Sequence, residues 1–309
     1  MNRRELIAGA SLGAAAMVTP AAAQADGHGK TAFVLVHGSW HGGWCWGQVS
    51  QALSAAGHMS LAIDLPGSGL NAVSPASYYQ RPLDPAVFAA EVSQFAEIPS
   101  DAFADAVLEA AQTLRWHGAS KVVAVGHSMG GMPITLAAAK DPTALQGLVF
   151  LTALTAVPDK PAAAYFTVPE QAEQSLLGPL FMADPGKIGA FRIDPRSADP
   201  DYYAKGKAAL AEDVPDDLWR TAVNMMTPDA PAAFYGETIA FPPEYLTVNR
   251  TFIRCARDKT LVPAAQDAMI KDMRTAWPEN LCKQIDMDVS HEAMFADPKG
   301  LAAAITEAA

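Results

Sequence analysis

Cysteine is scarce in this 309-residue chain: Cys45, Cys255 and Cys282 are all there is. An odd count excludes a fully paired disulfide framework, because at least one thiol stays free. The spacings do not match a zinc site, and no histidine pair accompanies them. Buried, inert thiols are the expectation, with a single Cys255–Cys282 bridge left open. Basic charge is also in short supply. Lysine and arginine total 22 against 33 acidic residues, a formal charge of −11. No lysine- or arginine-rich block occurs, so neither nucleic acid nor an anionic lipid surface is an expected partner. Repeats of fixed period are absent too, which excludes a repeat architecture.

Long hydrophobic runs are missing as well. The most membrane-like stretch, residues 6–18, is about 13 residues, too short for a helix across roughly 30 Å of hydrocarbon. It follows Arg3-Arg4 and precedes an A-x-A site at Ala23-Gln24-Ala25. That order reads as an export signal over residues 1–25, of the twin-arginine type, with a general secretory signal as runner-up. Cleavage would remove two arginines and one glutamate, moving the formal charge from −11 to −12. The mature protein is then expected in the periplasm or outside the cell, with no membrane attachment. The sequence does not distinguish a monomer from a dimer.

What remains is 50% hydrophobic and only 18% charged, which suits one large globular domain. Residues 31–38 form a continuous apolar run closed by glycine, as in a strand buried on both faces. A helix follows with Trp46, Val49 and Leu53 at helical spacing, stopped by Gly57. A second strand runs into a glycine-rich loop at 66–69. Residues 71–100 read as a long irregular loop. Residues 101–118 read as a helix with Asp101 as N-cap. Strand patterns recur at 121–131, 145–154, 250–258 and 282–291. Helices are expected from Met132 to Lys140, from Pro263 onward and at the C-terminus. Strand–helix alternation predicts an α/β fold, a mostly parallel sheet with helices on both faces. Residues 156–246 interrupt the alternation with many prolines and short helical patterns. They read as a cap inserted into a core formed by 26–155 and 247–309. Ligands of such sheets sit beyond the carboxyl ends of the strands.

Gly126-His127-Ser128-Met129-Gly130 matches G-x-S-x-G between a predicted strand and a predicted helix. That context makes Ser128 a candidate nucleophile on a sharp, strained turn, with flanking glycines because a Cβ would not fit. A serine needs a base. Among His28, His37, His41, His58, His117, His127 and His291, only His291 follows the last strand at the carboxyl edge. The acid should close an earlier strand. Asp258 does so, whereas its rivals Asp286 and Asp288 lie within or beside the last strand. Asp258 would hold the histidine tautomer and stabilise the imidazolium. Backbone N–H groups of Ser39 and Met129 are the candidate oxyanion donors. Trp40, Met225 and Phe295 are candidate pocket residues, with Met226 and Met294 as further apolar candidates; Trp46 is expected in the core.

Five segments now stand in a recognisable order: FVLVHGSWHGGWCW, AIDLPGSG, VGHSMGG, ARDKTLVP and SHEAMFADP. Together they resemble the α/β-hydrolase superfamily, and more narrowly the branch of plant methylesterases, hydroxynitrile lyases and related bacterial esterases. The resemblance covers most of 31–309 and is weakest in 71–100 and in the cap. It implies the α/β-hydrolase fold, Ser128, His291 and Asp258 as triad, and Ser39 and Met129 amides as oxyanion hole. The lyases of this branch carry lysine directly after the catalytic histidine, where this chain has Glu292; that argues against cyanohydrin cleavage. The expected activity is hydrolysis of a small to medium hydrophobic or aromatic ester, with no metal or organic cofactor. Alternatives on the same triad are a cofactor-free perhydrolase or a C–C bond hydrolase. A non-catalytic ligand-binding protein ranks below these, since no triad member is missing.

Overall fold

The computed structural model describes residues 31–309; the expected export signal lies outside them. Eight strands are present among the described residues: β1 (Thr31–Val36), β2 (Met59–Ile63), β3 (Lys121–His127), β4 (Gly147–Leu151), β5 (Ala190–Arg192), β6 (Asp229–Pro231), β7 (Asn249–Cys255) and β8 (Lys283–Met287). Six form one parallel sheet in the order β2-β1-β3-β4-β7-β8. The strands predicted from the apolar runs are therefore all here. Central β1, β3 and β4 are almost wholly buried, while the edge strands β2 and β8 are partly exposed. Strand order reverses at β1, which has β2 on one side and β3 on the other. Right-handed crossovers therefore put the helices on opposite faces and open a crevice at the carboxyl ends of β1 and β3.

The major helices are α1 (Gly47–Ala55), α2 (Pro85–Ala90), α3 (Ser100–Trp116), α4 (Gly131–Lys140), α5 (Pro169–Gln174), α6 (Pro185–Ile188), α7 (Pro200–Leu210), α8 (Asp216–Met225), α9 (Pro263–Ala276), α10 (Ala293–Ala296) and α11 (Pro298–Ala308). α1 packs on α11, and α3 on α4. Two local expectations are corrected. Helix α3 starts at Ser100, one residue early, because Pro99 with φ −70° occupies the cap position; Asp101 sits in the first turn and pairs with Lys140. Residues 71–100 are not irregular throughout. They contain α2, capped by the Asp84 side chain, and 3₁₀ turns at Ala76–Tyr79 and Gln94–Glu97. The Glu91 carboxylate ties this region down by accepting from the Ala76 and Ser77 amides and the Ser77 hydroxyl.

Residues 156–246 run between β4 and β7 and hold α5 to α8. They also contain strand order that the sequence pattern did not reveal, an antiparallel β5–β6 pair. Arg192 on β5 is fully buried. It makes two 2.7 Å hydrogen bonds to the Asp229 carboxylate on β6, and donates to the carbonyls of Phe88 and Glu91. One guanidinium thus joins the inserted segment to the 71–100 region. Removing one partner of a buried pair leaves the other charge stranded. Arg192→Met is expected to lower stability by about 3–5 kcal/mol, read as a fall in melting temperature on the order of 10 °C. A shift under 2 °C would contradict this role. All three cysteines are buried and free, so the Cys255–Cys282 bridge is not formed. No helix among the described residues is long and apolar enough to cross a membrane.

Candidate active site

Strand β3 ends at His127, and the chain turns at once. Ser128 has φ +51°, in the left-handed region that disfavours any residue with a Cβ. The surrounding glycines show why the turn can close. A Cβ on Gly126 would lie 2.4 Å from the Gly130 carbonyl oxygen, one on Gly130 2.6 Å from the Val36 oxygen, and one on Gly131 2.1 Å from the Leu154 oxygen. The turn therefore packs backbone to backbone against the ends of β1 and β4. Ser128 ends up 8% exposed, on the wall of a cavity of about 350 Å³. Among the described residues its hydroxyl takes no hydrogen-bond partner. Helix α4 begins just behind, so its N-terminal amides bring partial positive charge toward the turn.

Asp258 lies three residues past β7 and His291 four past β8, both almost fully buried. His291 Nδ1 is 2.6 Å from Asp258 Oδ2. The other carboxylate oxygen accepts from the amides of Thr260 at 2.6 Å and Leu261 at 3.0 Å. The Thr152 hydroxyl donates to Oδ2. Every acceptor direction of Asp258 is thus occupied, which fixes its plane. Because a carboxylate accepts, Nδ1 carries the proton and Nε2 presents a lone pair. Burial by itself would lower the His291 pKa. Attraction to Asp258, their hydrogen bond and the neighbouring Glu292 charge outweigh burial, so the net shift is upward. Asp286 and Asp288 are exposed, and Asp286 faces Arg254 and Gln284 instead.

Two more histidines brace the site. His127 Nε2 is 3.1 Å from the His291 carbonyl oxygen, so its ring turns away from the cavity. Burial, helped by His291 and His41, holds its pKa well below the ordinary range, so it stays neutral. His37 holds the turn after β1, through the Gly38 carbonyl at 2.8 Å and the Leu65 amide at 3.2 Å. Burial is the main reason that its pKa drops to about 4. Gly38 is required here, since a Cβ would sit 2.7 Å from the His127 ring.

Ser39 lines the same cavity as Ser128, and Met129 follows Ser128 in the turn with its side chain buried. Trp40 also lines the cavity. Its indole N–H donates to the Phe191 carbonyl at 2.8 Å, joining the first loop to the inserted segment. Met225 and Phe295 are not brought to the cavity. The buried stripe of α8 is Trp219 and Ala222, continued by the C-cap residue Met226, which leaves Met225 outward at 48% exposure. Phe295 instead packs against the rings of Trp44 and His41, behind the base loop. Met294 and Trp46 lie in the core.

The sequence reading missed Thr152, although its place beyond the end of β4 at the sheet's carboxyl edge was a usable signal. It also missed Phe166, Phe181, Phe191 and Tyr235, which supply the cavity's outer wall from the inserted segment. Among the described residues, no charged side chain lines the cavity. Two polar wall groups are already engaged: Gln171 donates to the Thr260 carbonyl and accepts from the Val262 amide, and Ser175 donates to the Thr260 carbonyl. One group of potential metal ligands occurs among the described residues, His127, His291 and Glu292, with donor atoms within 4.8 Å of one another. His291 Nδ1 and His127 Nε2 are committed to protein partners, so only the remaining atoms could ligate.

Comparison with known proteins agrees with this fold. The alpha/beta hydrolase family pattern matches residues 33–304. Methylesterase 1 of Arabidopsis thaliana is 28% identical over 296 residues, covering 88% of this chain and 93% of its own. Methylesterase 4 of the same plant is 31% identical over 288 residues, covering 91% and 97%. A pyrethroid hydrolase from Sphingobium faniae JZ-2 superposes with a TM-score of 0.67 at 19% identity, covering 90% and 96%. The chain belongs to the α/β-hydrolase family, in a branch resembling the plant methylesterases, and is a carboxylic ester hydrolase.

Proposed function

We propose that this enzyme cleaves a neutral, hydrophobic or aromatic ester of small to medium size through a Ser128–His291–Asp258 triad. The observation that carries the reading is the strained Ser128 turn on the cavity wall, with the buried His291–Asp258 pair at the neighbouring strand ends. Ser128 Oγ attacks the ester carbonyl carbon while His291 Nε2 takes its proton. The amides of Ser39 and Met129 hold the oxyanion that forms. The intermediate collapses, the C–O bond to the alcohol breaks, and His291 returns the proton to the leaving oxygen. Water then repeats the sequence on the acyl-enzyme and releases the acid. A Ser128 Oγ–His291 Nε2 hydrogen bond is expected to form once substrate occupies the cavity. Residues 156–246 act in this reading as a cap, and their aromatic side chains select apolar substrates.

Stoichiometric labelling by a fluorophosphonate, mapped to Ser128, is the expected outcome of a direct test. Label absent from Ser128 while ester turnover continues would overturn the triad assignment. For the substrate class, a series of p-nitrophenyl and aryl esters should favour uncharged apolar acyl groups. An acyl group bearing a carboxylate should lose roughly 100-fold or more in kcat/KM, because it would be desolvated against a wall with no cation. Equal turnover of charged and neutral acyl groups would sink this specificity. The Arg3-Arg4 stretch further suggests export to the periplasm by the twin-arginine route. Fractionation of cells expressing the intact chain and an Arg3→Lys/Arg4→Lys variant tests that.

A further inference from the structure

Behind the site lies a buried polar couple that the triad reading does not use. Glu292 directly follows His291 and is 0% exposed, and neither of its carboxylate oxygens has a hydrogen-bond partner among the described residues. Its Oε2 lies 3.6 Å from His41 Nε2. His41, 1% exposed, uses its other nitrogen on the Ser39 carbonyl at 2.7 Å. A carbonyl only accepts, so Nδ1 of His41 is a donor, and Nε2, which faces the carboxylate, joins it through a proton that either group can carry. The ring is held in that orientation by stacking on Trp44 and by Phe295. An isolated carboxylate in such a place would cost several kcal/mol, so a specific partner is expected to explain it.

The couple spans two loops. His41 grips Ser39, the source of one oxyanion donor, and Glu292 is the chain neighbour of the base. We infer that His41 and Glu292 are positioning residues, which lock the Ser39 loop against the His291 loop and thereby align the oxyanion hole with the base. This rests on the triad reading. The other ionisable groups near the carboxylate are Cys45 just before α1, His127 at the end of β3, Cys255 at the end of β7 and Asp258 beyond it. Asp213, paired with Arg257, approaches from the turn after α7 and holds Ser290. Of these, only Glu292 and Asp258 act on His291 to raise its pKa.

Removing the Glu292 charge therefore has a signature that lost packing does not. For Glu292→Gln, the acid limb of the kcat/KM–pH profile on a p-nitrophenyl ester should move down by ~0.5 pH unit. Plateau kcat should fall about 10-fold with KM changed less than about 2-fold, because alignment rather than binding is lost. A second variant, His41→Phe with Glu292→Met, leaves no buried charge unpaired and guards against failure to fold. It should reproduce the shift and the loss of kcat. An acid limb that stays in place in the folded variants, or an unchanged plateau kcat, overturns the inference. Ser128→Ala, run alongside, separates the two levels. Activity surviving there would sink the triad itself, whereas an inactive Ser128→Ala with an unmoved Glu292→Gln profile sinks only the positioning role.

Discussion

Replacing Ser128 with alanine is expected to reduce kcat by about 10⁵- to 10⁶-fold while leaving the fold intact. Two features make the test clean. Alanine keeps the same Cβ at φ +51°, so the strained turn neither gains nor loses a steric demand. The hydroxyl takes no hydrogen bond among the described residues, so its removal strands no partner there. Any large loss of activity then belongs to the missing nucleophile rather than to a collapsed site. A residual rate above water is expected from the oxyanion donors and the cavity. The measurement is single-site kinetics on a p-nitrophenyl ester, with thermal melting as the folding control. A variant within 10-fold of wild type would remove Ser128 from the mechanism.

Asp258→Asn should cost about 10⁴-fold in kcat, and the hydrogen-bond network explains why a near-isosteric change is so damaging. Oδ1 of Asp258 faces two backbone N–H donors, from Thr260 and Leu261. An asparagine must therefore point its carbonyl oxygen at them and its NH₂ at His291. Facing a donor, His291 Nδ1 loses its proton and Nε2 gains it. The base then presents an N–H to Ser128 where a lone pair is needed. In the wild type the raised His291 pKa has its own consequence. The neutral base is populated only as pH rises through that value, so kcat/KM should climb through an apparent pKa above the ordinary 6.5 of histidine. Thermal stability of Asp258→Asn should fall too, but activity lost only in proportion to unfolded protein would contradict the tautomer argument.

These two expectations use residues that sequence reasoning reached unaided, and the physical reason is that their signals are local. The Ser128 turn is written in glycines whose absent Cβ atoms permit contacts within a few residues and against the neighbouring strand end. Asp258 and His291 were found because apolar runs mark strands, and catalytic groups of parallel sheets stand just past strand ends. Boundaries were less legible. Asp101 resembled a cap, yet Pro99 starts α3 one residue earlier because proline is already set at a helical-entry φ. Met225 was a reasonable apolar candidate, but α8 ends there, and its C-cap residue Met226 took the buried place.

The amino-acid sequence by itself determined the six-stranded parallel sheet, the position of the strained turn and the three residues of the candidate triad. Periodicity, glycine sterics and strand-end placement act over a few residues, so they can be read in one dimension. Tertiary structure alone decided the rest. Thr152 meets Asp258 across 106 positions, Trp40 meets Phe191 across 151, and Arg192 joins Asp229 to the Phe88 and Glu91 carbonyls. The aromatic wall of the cavity and the His41–Glu292 couple arise the same way. Such contacts depend on how loops of different strands settle against one another, and no local propensity encodes that.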